Sequence, residues 1–401
     1  MHAWKKWVGT PAAAIALCGV FTVLGVVPAA RAQSAVYKVD PFWPKPLPNK
    51  WSMQQVVDMG VDKEDHLWII NRQSDARPDE LAAATKPPRA ECCILGPEII
   101  QFDQEGNVLR AWGGPNYTPG WPGRLQTMFV DRDENVWLSG TNPGDGIIAY
   151  TKDGKFLRDF GRRGPKVPGN QVKENNQQTD VFPGGIGSFH LDEDAREVYI
   201  ADGFLNKRIL VYDMDTGVFK RGWGGHGMPL SEISNDPTPG YDISGPPPDA
   251  KAFVPALHCV HLSRDGFVYV CERGSDRVQV FTKEGKFVMQ FFVHPSTQSR
   301  GENCGGPWST TSAMCGTVFH LAISNDPQQK FVFVADGTNN TVWIYNRKEG
   351  TLAGSFGGNG RYAGNLHWID SVVVDSKNNV YTGEVEDGKR VQKFVPVNGA
   401  R

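Results

Sequence analysis

Short apolar runs separated by brief acidic turns recur along nearly the whole chain. Six stretches share one order of residues: 60–68, 129–137, 190–199, 261–269, 322–333 and 373–381. Each leaves an apolar strand, passes an Asp- or Ser-led turn and re-enters an apolar strand marked by an aromatic, as at Trp68, Trp137, Tyr199, Tyr269, Phe333 and Tyr381. A second strand pair follows in five of them, at 100–106, 149–154, 210–217, 280–285 and 344–350, turning at a glycine and ending on an aromatic-glycine step in several copies. Runs this short, bounded by Gly, Asp and Asn, read as antiparallel strands and hairpins.

Four short strands per repeat predict a β-propeller rather than a solenoid or a sandwich, and six copies predict six blades. The sixth copy ends near Phe394 without a fourth strand. The apolar segment 36–39 is the candidate to supply it, so that the N-terminal strand closes the last blade and removes an exposed edge. The predicted fold class is therefore all-β, one six-bladed propeller over 33–401.

Composition sharpens this picture. With 45 Gly, 28 Pro and 12 Trp, the chain favours turns and aromatic strands over a second, helical domain. Lys5 and Lys6 precede an apolar run from Pro11 to Pro28, and Ala30-Arg31-Ala32 has the small-x-small form of a cleavage site. Residues 1–32 thus read as a secretory signal peptide, and the protein as secreted or periplasmic. No remaining apolar stretch is long enough for a membrane span. A net charge of -2 supplies no electrostatic reason to expect nucleic acid. Beyond Cys18 the cysteines are Cys92, Cys93, Cys259, Cys271, Cys304 and Cys315, an even number that in an oxidising compartment implies disulfides. Cys259 and Cys271 flank the turn at Asp265-Gly266 almost symmetrically, which predicts partners across a hairpin. Cys304 and Cys315 bracket a loop they could staple. Adjacent Cys92 and Cys93 either close a vicinal ring or pair elsewhere.

The repeat also serves as a ruler. The turns within each hairpin belong to one face of the ring, and the long insertions 73–95, 162–181, 226–255 and 294–317 all belong to the other, where rims and lids form. Four residues after each second-strand aromatic stand Arg72, Thr141, Gly203, Arg273, Gly337 and Val385. Arg72 and Arg273 fall on opposite blades. Two guanidiniums across one mouth repel unless neighbouring acids pair with them or a carboxylate or phosphate ligand lies between. The matching first-strand position gives Val57, Gln126, Gly187, His258, Phe319 and Asp370, with His320 one residue out of step. His258, Gln126 and Asp370 are expected to converge there.

Segments such as Ala201-Asp-Gly-Phe-Leu-Asn-Lys-Arg208, Cys271-Glu-Arg-Gly-Ser-Asp-Arg277 and Ala335-Asp-Gly-Thr-Asn-Asn340 resemble NHL repeats, and the resemblance spans most of the chain. In motif the chain further resembles the peptidyl-α-hydroxyglycine α-amidating lyases, secreted six-bladed propellers with a three-histidine zinc. That resemblance implies that Arg72 and Arg273 match the family's arginines and His258 one zinc ligand, while Gln126 and Asp370 stand at the other ligand positions and Phe204 at the position of a tyrosine. The implied zinc site is degenerate, since Gln is a poor zinc ligand.

The functional expectation is a small anionic or carbonyl-bearing molecule, or a peptide, in the central channel. Arg72, Arg273 and His258 are the candidates for lyase or hydrolase chemistry. Gln126, Phe204 and His320 join the two arginines as substrate-binding candidates, and His258 with Asp370 as ligands of a divalent metal, zinc or calcium. The alternative is a non-catalytic scaffold gripping a protein, peptide or glycan on the long-loop face, where Trp121, Tyr241 and Trp308 would offer aromatic contacts. Calcium-assisted lactone or ester hydrolysis ranks below both, because Asp370 is the main acid at the aligned positions.

Overall fold

The structure, a computed structural model of the 401-residue chain, describes residues 36–397 except 78, 79, 81, 83, 84, 86, 119, 143, 161–172, 181–184, 237–250 and 300–314. These lie in the second of the two units of the chain, 34–401. The expected leader 1–32, the Cys304 staple and the aromatics Tyr241 and Trp308 lie outside the described residues.

Six four-stranded antiparallel sheets follow one another along the chain. Their inner strands are Gln55–Val61, Leu125–Val130, Ile186–Asp192, Leu257–Leu262, His320–Ile323 and Ile369–Val374. Each packs on the next, and the sixth packs on the first, so the sheets close into a propeller around a channel. The sixth blade takes its outer strand from the N-terminus: Val36–Val39 runs antiparallel to Val391–Val397, with Val36 opposite Val397. The predicted closure is present.

The acidic turn is conformationally specified by its own side chain. Asp62 Oδ1 accepts the N–H groups of Glu64 and His66, and Oδ2 accepts the indole N–H of Trp68 at 3.0 Å. Asp131 does the same for Asp133, Asn135 and the Trp137 indole, and Asp375 for Lys377, Asn379 and the Tyr381 hydroxyl. Ser263 and Ser324 replace Asp in blades four and five, each accepting the N–H that opens the second strand. Such side-chain turns leave no backbone donor idle at the hairpin.

The acid–arginine pairing within the repeat is likewise structural. Arg208 Nε donates to Asp202 at 2.7 Å and Arg277 Nη2 to Glu272 at 2.7 Å, all four side chains fully buried. Arg390 pairs with Glu384 in the same way. The guanidiniums also reach carbonyls of the loops arriving from the preceding blade, at Asn176, Ala252 and Asn365. Removing one partner of such a buried pair costs about 3–5 kcal/mol, because the other charge is left unpaired.

Apolar side chains gather in six clusters, one wedge at each junction between blades. Glycine matters where aromatics cap a neighbouring hairpin. At Gly285 (φ 83°) a Cβ would stand 2.6 Å from the Trp223 ring, and at Gly154 (φ 81°) 2.4 Å from the Tyr117 hydroxyl. Cys259 and Cys271 are register partners joined by a disulfide, as expected, and Cys92 and Cys93 form the vicinal ring.

Candidate functional site

Five of the six inner strands carry a β-bulge near the long-loop face. The extra residue is Gln126, Gly187, His258 or Asp370 in blades two, three, four and six, and blade one bulges over Val57 and Asp58. A bulge re-aims its unpaired residue and ends regular pairing there. The column that the repeat predicted as the site is therefore the column of bulged residues.

Arg72 ends the second strand of blade one, and a 3-10 turn over Gln73–Asp75 brings Asp75 back to it. Its Nη2 lies 2.8 Å from both Gln55 Oε1 and Asp75 Oδ2, while Nη1 donates to the Leu125 carbonyl and to Gln126 Oε1 at 3.2 and 3.1 Å. Only Nε is without a partner. Burial pulls the Arg72 guanidinium down to about 10, Arg124 adding repulsion and Asp75 offsetting both. Burial would raise Asp75, but Arg72 and Arg124 overcome it and hold the carboxyl below its usual range.

Arg273 stands differently. It begins the 3-10 turn Arg273–Ser275, and its guanidinium lies over the Phe319 ring, 4.8 Å from the centroid. No side-chain hydrogen bond or ion pair reaches it among the described residues. Burial lowers its pKa, with the charge of Asp370 acting the other way.

Asp370 is 6% exposed and has no hydrogen bond among the described residues; its nearest ionisable neighbour is His258, Nε2 to Oδ1 3.9 Å. Burial pushes its carboxyl up to about 6, against the opposing pull of Arg72 and Arg273. His258 is wedged between Phe204 and Phe319, ring centroids 5.3 and 5.5 Å away. Burial, then the neighbouring Arg273 and His320, push its pKa well below the ordinary value, so the imidazole is neutral at pH 7. A neutral imidazole beside a carboxyl poised near 6 can pass a proton in either direction.

Of the predicted residues, Phe204, His258, Arg273 and Asp370 meet at this mouth, the charge of Arg72 bears on His258 and Asp370, and Gln126 is held by Arg72. His320 lies one level deeper. Its Nε2 is 3.5 Å from Asp58 Oδ1 and its Nδ1 is 3.1 Å from the Val372 carbonyl, and it lines a cavity that continues toward the short-turn face. Sequence reasoning missed Asp75 and Gln55, which satisfy Arg72, and the deeper cavity altogether. Trp121, expected as a possible contact surface, packs inward against Tyr117 and Tyr150 and donates to Glu98 at 2.7 Å.

A metal fits this mouth poorly. His258 and Asp370 offer two donors, and no group of three His, Cys, Asp or Glu side chains suited to a metal exists among the described residues. Two guanidiniums nearby further oppose a cation.

The deeper cavity measures about 250 Å³; Asp58, His190, His261 and His320 line it among apolar strand residues, with Arg264, Asn325 and Gln329 also on its lining. Asp58 accepts the N–H groups of Met59 and, across the blade junction, Met128 at 2.8 and 2.9 Å. Ser188 accepts that of Val260 at 2.8 Å. His190 stacks edge-on between Phe129 and His261, centroids 4.8 and 4.6 Å away. Burial drives His190 down to about 3 and His261 well below its ordinary value.

No family model matches the chain. It is 27% identical over 194 residues to NHL repeat-containing protein 3 of Mus musculus, 47% of this chain and 46% of that protein, so this match spans about half of the mouse relative. It is 23% identical over 382 residues to NHL repeat-containing protein 3 of Homo sapiens, 92% of this chain and 86% of that protein. This similarity and the six-bladed ring together support an NHL-repeat β-propeller.

Proposed function

We propose that the long-loop mouth of the channel binds a small carboxylate- or carbonyl-bearing molecule through Arg273, with Asp370 and His258 as the groups that hold or transfer a proton at it. The observation that carries this reading is the pair of a half-buried Arg273 and a buried Asp370, opposite charges at one mouth that no hydrogen bond from the described residues satisfies. Buried polar groups are otherwise satisfied in folded proteins, and an unsatisfied one calls for a ligand or water to complete it. Arg72 acts on this mouth indirectly, by adding positive potential. Phe204 and Phe319 supply the apolar wall. The resemblance to amidating lyases supports proton-transfer chemistry here, and the leader pattern at 1–32 supports a secreted or periplasmic location.

The test is calorimetric titration of the purified protein with pyruvate and with benzoate, alongside metal analysis. Saturable binding that weakens at least about tenfold in Arg273→Gln and persists in metal-free protein is the expected result. No binding of either probe, or equal binding by Arg273→Gln, would overturn the reading and favour a scaffold acting through the long-loop face. Stoichiometric metal lost on His258→Ala and Asp370→Ala would instead make these residues ligands.

A further inference from the structure

The short-turn end of the channel contains a second set of polar side chains for which the mouth chemistry gives no use. His190 and His261 come from neighbouring inner strands and share a repeat column with Phe129, so three rings form a continuous edge-to-face row along one wall of the cavity. Neither histidine has a side-chain hydrogen bond to any described residue. Each neutral imidazole therefore presents one donor nitrogen and one acceptor nitrogen that the protein leaves unused.

Formal charges around the cavity are already engaged. Asp58 has both oxygens on backbone N–H groups and faces His320. Arg264 is exposed at the rim, held by Asn325 Oδ1 and by the carbonyls of Asn325 and Asp326 rather than by a carboxylate. Only the exposed Arg264 at the solvent end is without a carboxylate partner, whereas the wall formed by Phe129, His190 and His261 presents rings that reward a flat, uncharged ligand. At about 250 Å³ the space exceeds the roughly 150 Å³ that suffices for benzene in an engineered cavity.

We infer that this chamber is a second binding site, distinct from the Arg273 mouth, for an uncharged aromatic molecule bearing one hydroxyl or N–H group, of the phenol or indole class. The ring lies against the row formed by Phe129, His190 and His261, and the polar group hydrogen-bonds to a histidine nitrogen. The two ends of one channel thereby select opposite chemistries, an anion at the long-loop end and a neutral aromatic at the short-turn end.

Indole and phenol are the probes, titrated into the full-length protein by calorimetry and followed by the histidine C–H signals in NMR. Saturable binding is expected, weakened about tenfold by His190→Phe or His261→Phe, the magnitude of losing one hydrogen bond in a buried site. Both substitutions keep an aromatic ring in the row, and melting curves show whether each variant is folded. Arg273→Gln should leave indole binding unchanged, and benzoate should not compete with indole. Absence of saturable binding by wild type, indifference to both histidine substitutions in folded protein, or loss of indole binding in Arg273→Gln would each overturn the assignment.

Discussion

At the long-loop end of the channel a half-buried Arg273 and a buried Asp370 have no side-chain hydrogen bond to the described residues, whereas at the short-turn end Asp58 commits both oxygens to the backbone of two blades. Both carboxyls are raised by burial. Their difference lies in what surrounds them. Asp58 joins adjacent inner strands, so its burial is offset by hydrogen bonds that hold the ring together. Both residues sit in bulges, but the Met59 and Met128 N–H groups come within reach of Asp58 and none does so for Asp370 among the described residues. Arg72 and Arg273 repeat the contrast within a single mouth: one has four side-chain and backbone acceptors and the other has an aromatic face.

The largest test of that contrast is stability. Arg72→Ala leaves Asp75 to Arg124 but strips the donor from Gln55, Gln126 and the Leu125 carbonyl, and is expected to lower unfolding free energy by about 3 kcal/mol, while Arg273→Gln changes it by no more than about 1 kcal/mol; denaturant melts of the two variants side by side check this. Equal losses would erase the distinction between the arginines.

Asp370 gives the next largest effect. Its folded-state carboxyl titrates near 6, above its unfolded value, so the folded state holds more protons in the interval between. Its contribution is fully present below about 4 and is lost as the pH rises through about 6. Asp370→Asn should therefore raise stability at pH 7 by about 2 kcal/mol and flatten the stability curve between about pH 4 and 6. Melting temperatures across that range are the measurement.

Asp58→Asn is expected to cost about 1–3 kcal/mol at neutral pH, since an amide provides one acceptor where two N–H groups need one each. The smallest effect belongs to His190→Phe, within about 0.5 kcal/mol of wild type, because the imidazole has no side-chain hydrogen bond to a described residue and Phe keeps a ring between Phe129 and His261. A large loss there would show that His190 supports the ring rather than a ligand.

Much of the fold was legible because each repeat is closed by its own side chains. Asp62, Asp131 and Asp375 write both the turn and the aromatic six residues on, so local sequence and local geometry coincide. The closing strand was legible because the sixth copy lacked a partner. The site was legible as a column but not as a set of bonds. Nothing in the spacing of Arg72 shows that Asp75 turns back onto it while Arg273, also opening a 3-10 turn, meets Phe319 from the next blade. His190 and His261 stood in the repeat from the start, in the column of Phe129, Ala322 and Val373. Spacing alone gives that column no chemistry, because the wall it forms exists only once neighbouring blades are packed.

The strand that completes the sixth blade has a consequence in time as well as space. Val36 and Val397 pair across almost the whole length of the chain, and Ser376 then reaches Asp65 across the same seam, N–H to carboxylate 2.8 Å. Contacts of such separation carry the greatest loop-closure entropy and slow folding most. Until the sixth inner strand, Ile369–Val374, is in place, the first five blades can form only an open arc. A deletion of Val391–Val397 would remove the strand on which Val36–Val39 pairs and so unlatch the sixth blade.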